Sequence, residues 1–323
     1  PWTRHIDQQW RRTSYSGLTA AAHAAPPGAA DAGLLADEPA EPIEVEADPG
    51  LALVSPMAAL PGGAAFGTLV HSVYESLDAR GEGWRDDLRA EVGRALRRWP
   101  LAGVDADALA VAMAPTLETP LGPLAAGTTL RFFGPEDRLT EFDFEFALDA
   151  PAATLADVAS LLAEYTPAGH VLADYPTRLA GPTLTAQRLH GFLTGSIDAI
   201  LRLPGGGHLI VDYKTNRLDA GGLDPEALTV GHYTREAMAD AMMASHYPLQ
   251  ALLYSVALHR YLRLRQPGYD PRRHLAGSAY LFVRGMAGAE TPVIDGHPTG
   301  VFSWRPEPEL VVRLSRLLAG GAR

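Results

Sequence analysis

The sequence has no cysteine and only one lysine among its 323 residues. The missing cysteine excludes disulfides, thiolate zinc sites, iron–sulfur ligation and a cysteine nucleophile. It also fits a cytoplasmic setting. The scarcity of lysine excludes more. A phosphate-binding loop of the G-x-x-x-x-G-K-[ST] type needs lysine after glycine, and the one lysine, Lys214, follows Tyr213. No G-x-S-x-G nucleophile turn is present. No apolar run approaches the length of about 18 residues that a membrane span needs. No basic start followed by an apolar stretch marks a signal peptide. Positive charge is scarce as well: 27 Lys and Arg against 38 Asp and Glu give a net charge of −11, which argues against a general nucleic-acid coat. The chain begins at Pro1 rather than Met, and a fragment of something longer is expected.

What is present fits a globular protein with 47% apolar residues and a mean hydropathy of −0.03. Residues 1–56 are expected to be an approach segment, ending in "RRTSYSGLT", followed by a flexible Ala/Pro/acidic linker that includes "ADEPAEPIEVEADPG". Residues 57–323 are expected to form the folded domain. Phe66, Leu69, Val70, Val73 and Leu77 recur at helical spacing, leaving His71 and Glu75 on the other face. Residues 84–118 predict further helices, with breaks at Pro100–Gly103 and at Pro115. "LTEFDFEFAL" (139–148) alternates strictly and predicts a strand. A short helix is expected over 154–165. "LHGFLTGSIDAILRL", "PGGG" and "HLIVDYKTN" predict a β-hairpin. A polar, Gly-containing excursion is expected over 218–245, an amphipathic helix over 247–264, a strand over 276–285 and a last helix over 308–318. The class is α/β or α+β, with a mixed central sheet flanked by helices.

Lys214 is the informative residue. Twenty-six of the 27 basic residues are arginine, so this position keeps a compact ammonium where the chain otherwise uses a planar, permanently charged fork. Asp212 and Lys214 are two apart on a strand and share a face. The hairpin can bring Asp198 near Asp212. Two carboxylates and a lysine on one face make a site for a divalent metal with an adjacent cation. Magnesium is held by one or two carboxylates, waters and substrate phosphate. The ion lowers the pKa of bound water for attack on a phosphodiester, and the lysine can orient that water or stabilise the developing charge. A lone D-x-K on a strand is more often structural than catalytic. Asp198 on the partner strand strengthens the functional reading, because buried carboxylates without partners are costly.

"GSIDAILRL…LIVDYKTNRL" resembles the PD-(D/E)XK nuclease core, a restriction-endonuclease-like fold. More closely, it resembles the C-terminal nuclease domain of the RecB family, the helicase–nuclease subunits of RecBCD (exodeoxyribonuclease V). The resemblance covers about residues 57–323, and "RRTSYSGLT" resembles the RecB approach to that domain. It implies five motifs in order. The G-x-x-x-H helix falls on Gly67 and His71, the histidine being a metal ligand. The glutamate of the preceding strand falls on Glu141, although Asp143 and Glu145 share its face. The first metal aspartate falls on Asp198. D-Y-K falls on Asp212, Tyr213 and Lys214, with Asp212 a further metal ligand and Tyr213 offering its backbone carbonyl to the metal. Q-x-x-x-Y falls on Gln250 and Tyr254, one helical turn apart, implied to position the scissile strand or the lysine.

A histidine sits oddly beside a hard cation that prefers oxygen, and alone His71 would be an ordinary surface or capped residue. The other ten histidines, His208 included, are read as structural or surface residues. The implied cofactor is Mg²⁺, with Mn²⁺ as a substitute and Ca²⁺ binding or inhibiting. The implied partners are linear DNA as single strands from unwound duplex, a helicase region of the same polypeptide, and RecC- and RecD-like subunits, with no membrane. AddB and the CRISPR adaptation nuclease add four cysteines to this core, so this chain is not of that type; an AddA-type domain remains a competitor. Two other classes compete: a catalytically inactive DNA-binding or scaffold module of the same fold, and a sugar or acyl hydrolase with paired carboxylates. Magnesium-dependent degradation of linear DNA discriminates among them.

Overall fold

The computed structural model describes residues 11–19, 46–48, 50–184, 188–219 and 228–320. Most of the expected linker, 20–45 and residue 49, lies outside the described residues. In chain order the elements are β1 (Arg11–Ser14), α1 (Tyr15–Thr19), α2 (Ala64–Ser76), α3 (Trp84–Arg98), α4 (Ala106–Glu118), β2 (Arg138–Thr154), α5 (Leu155–Tyr165), α6 (Tyr175–Leu179), β3 (Arg188–Arg202), β4 (His208–Lys214), α7 (Arg235–Ala244), α8 (Tyr247–Arg265), α9 (Pro271–His274), β5 (Leu275–Phe282), β6 (Val293–Ile294), β7 (His297–Pro298), β8 (Val301–Trp304) and α10 (Pro308–Leu318).

The expected hairpin forms. β3 and β4 pair antiparallel in the register Ala199↔Val211 to Arg202↔His208. β4 and β5 then pair parallel and β5 and β8 antiparallel, which makes the sheet mixed. Among the described residues one sheet runs in the order β1-β3-β4-β5-β8, and β2 pairs antiparallel along β3. The central feature is how β3 shares one of its edges. Its residues Gly191–Thr194 pair in parallel with β1, and Ala199–Arg202 pair with β4. Between these two ladders, Gly195 to Asp198 have no strand partner on that edge among the described residues.

Alternation along β4 and β5 divides the core in two. Val211, Tyr213, Ala279 and Leu281 pack under α2, α3 and α4 with Phe66, Leu69, Trp84 and Met113. Ile210, Tyr280 and Phe282 pack under α8 and α10 with Leu249, Leu252 and Leu314. The sheet is therefore buried on both faces, which requires the near-continuous apolar run "HLIV" rather than alternation.

Three local expectations are corrected. Pro115 does not break a helix; it lies inside α4, which continues to Glu118. Only the hydrogen bond to Val111 is forfeited, on the solvent side where Val111 is 64% exposed, and water can satisfy that carbonyl. The 218–245 excursion contains α7, started by Thr234, whose side chain accepts from Ala237 N. The helix at 247–264 forms as α8 but is not amphipathic over its first three turns: every residue from Tyr247 to His259 is buried. Enclosed by the sheet, α1, α7 and α10, it has no face left for solvent.

Candidate active site

The split edge of β3 is where the predicted residues gather. β4 parts from β3 after Ala199↔Val211, so the next ladder bond is made by a side chain. The Asp198 carboxylate accepts the Tyr213 N–H at 2.8 Å. The same Oδ2 lies 3.4 Å from His71 Nδ1. His71 Nε2 lies 2.8 Å from the Tyr213 carbonyl oxygen. Gly67 and His71 are one turn apart on α2, whose apolar face (Leu69, Val70, Val73) is buried and turns His71 to the groove.

Charge follows this geometry. Burial disfavours an imidazolium at His71, but the facing Asp198 outweighs it and raises His71 to about 9. Burial likewise pushes the Asp198 carboxyl up. His71, Lys214 and the Tyr213 N–H overcome that and hold it below the usual carboxylate range.

Asp212 and Lys214 share the face of β4 under α8, as their spacing requires. Both side chains are 1% exposed, and Lys214 Nζ lies 2.8 Å from Asp212 Oδ2. Asp198 does not join that face: it turns to α2 and to the β4 edge, and the two groups meet across the end of β4. They are near enough that Lys214 stabilises the Asp198 anion.

Glu141 stands opposite Asp198, between the pairs Thr140↔Ala199 and Phe142↔Ile197. Its φ of 47° is in the left-handed region, a strained conformation for a non-glycine residue in mid-strand. It accepts from Ser196 Oγ at 3.2 Å. Burial, then Asp198 and Glu75, raise its carboxyl. Glu145 is instead paired with Arg12 at 2.7 Å. Gln250 and Tyr254 lie on α8, with Gln250 Nε2 donating to the Tyr254 hydroxyl at 3.2 Å. Gln250 Oε1 accepts from the Tyr280 hydroxyl at 2.9 Å.

Among the described residues, no three His, Cys, Asp or Glu side chains are close enough together to hold a metal. Two features nevertheless fit a hard divalent ion. The first is gathered negative charge, since Asp198 and Glu75 both act to raise the Glu141 carboxyl. The second is the spacing of His71 Nε2 and the Tyr213 oxygen: cis donors on an octahedral ion at 2.0–2.1 Å are about 3 Å apart. His71, Asp198 and the Tyr213 carbonyl form one potential ligand group, and Asp212 is engaged by Lys214.

His71, Glu141, Asp198, Lys214 and Tyr254 all line one groove of about 1020 Å³, with Arg12 of β1 and Trp99 among its other walls. A smaller cavity of about 180 Å³, between α5 and α10, contains none of the predicted site residues. Sequence reasoning missed three residues that hold the site. Tyr247 places its ring 4.2 Å from Lys214 Nζ. Tyr280 lies beside Asp212 in the β4–β5 register. Arg284 Nε donates to the Thr215 carbonyl at 2.7 Å. Tyr247 had a readable signal, one turn before Gln250 at i,i+3; Tyr280 and Arg284 had none, because only strand pairing brings them there.

Residues 50–311 match the PD-(D/E)XK nuclease superfamily. The chain is 49% identical over 325 residues to the RecBCD enzyme subunit RecB of Mycolicibacterium smegmatis, a match covering 98% of this chain and 30% of that protein. It is 48% identical to RecB of Mycobacterium tuberculosis H37Rv, covering 98% of this chain and 29% of that protein. With RecB of Escherichia coli K12 the identity is 32%, over 96% of this chain and 23% of that protein. The chain thus spans under a third of the length of these relatives.

Proposed function

The chain belongs to the PD-(D/E)XK nuclease superfamily, and from that premise we propose that it is the nuclease domain of a RecB-type helicase–nuclease. In this reading it hydrolyses phosphodiester bonds of linear DNA, in single strands delivered by a motor, during processing of double-strand breaks and recombinational repair. The observation that carries the proposal is the meeting of two groups at the end of β4. His71, Asp198 and the Tyr213 carbonyl converge on one side, and the sole lysine is paired with Asp212 on the other. A divalent ion, Mg²⁺ or Mn²⁺, would be held by His71, Asp198 and Tyr213 O, with Asp212 and Glu141 adjacent. When bound it supplies a water of lowered pKa and relieves the charge on the scissile phosphate.

The remaining work belongs to side chains. Lys214 places a point charge beside Asp212, suited to orienting the attacking water or the pentavalent oxygens. Tyr254 and Phe144, in edge contact at 5.8 Å, wall the groove for the substrate strand. Asp198 holds the His71 ring. The RecC- and RecD-like partners, the helicase region and a cytoplasmic setting belong to the same proposal.

The test is degradation of linear single-stranded DNA with and without Mg²⁺, for wild type and Lys214→Arg. Arginine keeps the charge but is longer and planar, and misplacing a catalytic group by about 1 Å costs about 100-fold in rate. Cleavage should fall by about that factor while Mg²⁺ titration and melting are retained. No Mg²⁺-dependent degradation by the wild type would overturn the nuclease reading; wild-type rates in Lys214→Arg would overturn the role given to Lys214.

A further inference from the structure

A buried ammonium must be held on every side, because desolvation removes the water that would otherwise surround it. Lys214 has Asp212 Oδ2 on one side at 2.8 Å. On another it has the face of Tyr247, with Nζ 4.2 Å from the ring centroid, and the Tyr280 ring at 5.7 Å. An aromatic face attracts a cation within about 6 Å, more strongly when both are desolvated. The rings are themselves fixed. Tyr247 opens α8, is 1% exposed, and stacks on Tyr280 with centroids 5.8 Å apart and planes 24° apart. The Tyr280 hydroxyl donates to Gln250 Oε1 at 2.9 Å and lies 3.3 Å from the Tyr247 carbonyl. Gln250 in turn donates to Tyr254. The parallel register sets Tyr280 beside Asp212. Lys214 is also among the residues that line the groove, with its side chain only 1% exposed.

We propose that Tyr247 and Tyr280 are positioning residues for Lys214: the Tyr247 ring caps the ammonium, and Tyr280, tied to Gln250, braces that ring so that the charge is directed into the groove. This rests on the reading of Lys214 as the catalytic cation. It gives Gln250 a definite task, which is to anchor Tyr280 rather than to touch the substrate. It also explains why lysine persists in an arginine-rich chain: a planar fork would spread its charge over five donors instead of placing it at one point beside Asp212.

The single lysine makes a direct test available. Labelling the 323-residue chain with ¹³C,¹⁵N-lysine gives one ε-CH₂ signal. Over the Tyr247 face it should be displaced upfield by the ring current, return towards the free-lysine position in Tyr247→Leu, and be displaced again in Tyr247→Phe. On single-stranded DNA, Tyr247→Leu should lower kcat on the order of tenfold with KM unchanged, and Tyr247→Phe should restore the rate. A merely structural role would move melting without this pattern. An undisplaced wild-type signal, the same displacement in Tyr247→Leu, or failure of Tyr247→Phe to restore it would overturn the proposal. Should Tyr247→Leu fail to melt cooperatively, a nuclear Overhauser contact between the Lys214 ε protons and the Tyr247 ring decides in its place: its presence supports the box and its absence overturns it. The signal is read without nuclease activity, so a displaced signal in a chain that degrades no DNA supports the box while removing the nuclease reading.

Discussion

At the scale of single residues, the site shows how burial and pairing compete for one group. His71 and His259 are opposite outcomes. His71 faces a carboxylate and is raised; His259 lies among arginines and is lowered. Burial, then Arg263, Arg260 and Arg316, lower His259 to about 4, and its Nδ1 pairs with the Tyr269 hydroxyl at 2.9 Å. The unfolded chain takes up this proton near 6.5, whereas the folded chain does so only near 4. The unfolded state therefore binds more protons throughout that window, and stability falls as pH drops from about 6.5 through 4. Melting temperatures measured across this range should decline more steeply for wild type than for His259→Gln; parallel curves would show that His259 is not held neutral.

At the scale of elements, the chain after Lys214 has to be fixed without regular structure, and it is fixed by ties from several directions. Arg284 holds the Thr215 carbonyl and also Met57 O at 2.7 Å. The Tyr233 hydroxyl donates to Asn216 O at 2.9 Å. Arg217 donates to Ala58 O at 2.7 Å. Tyr233 can lie there only because two glycines cross beneath it: a Cβ on Gly285 would meet the Tyr233 ring at 2.6 Å and Gly300 Cα at 2.7 Å. Gly300 has φ +75°, and a Cβ there would meet Gly285 C at 2.6 Å. Gly300→Ala adds a left-handed penalty to overpacking against backbone, so a loss of about 2–4 kcal/mol is expected. Thermal melting checks this, and an unchanged midpoint would mean that β8 can shift without disturbing the Tyr233 tie.

At the scale of the whole molecule, charge limits how the proposed DNA substrate would be held. With a net charge of −11, and with Arg12 of the groove paired to Glu145, few cations remain to meet phosphates. Arg12, Arg98 and Lys214 are the Lys and Arg residues that line the groove. If all three met phosphates, the slope of log K against log salt for single-stranded DNA would be about −2, since each phosphate contributes about −0.7. Weak binding with a slope no steeper than that is expected by fluorescence anisotropy across a salt series. A slope of about −5 would mean that the strand follows basic surface outside the groove. No helix among the described residues is long and apolar enough to cross a membrane.

The sequence by itself determined the elements and the motif order. Periodicity placed α2, α5, α8 and α10, the alternation of Phe142, Phe144 and Phe146 placed β2, and the Gly205–Gly207 turn placed the β3–β4 hairpin. These are local properties, set by which face each side chain must bury. Asp212 and Lys214 sharing a face was equally legible, because i and i+2 are fixed by the pleat. Only the tertiary structure decided which side Asp198 takes. A hairpin register puts it opposite Asp212, but β4 leaves β3 at that point while β1 holds the other half of the same edge, so the carboxylate fills the missing ladder bond and faces His71. Strict alternation likewise treats Glu141, Asp143 and Glu145 alike, and the backbone difference among them, the left-handed φ of 47° at Glu141 opposite Asp198, is visible only in the fold. Tyr280 and Arg284 come to the site through a parallel strand pairing across more than sixty residues of chain, and no local pattern encodes a contact of that range.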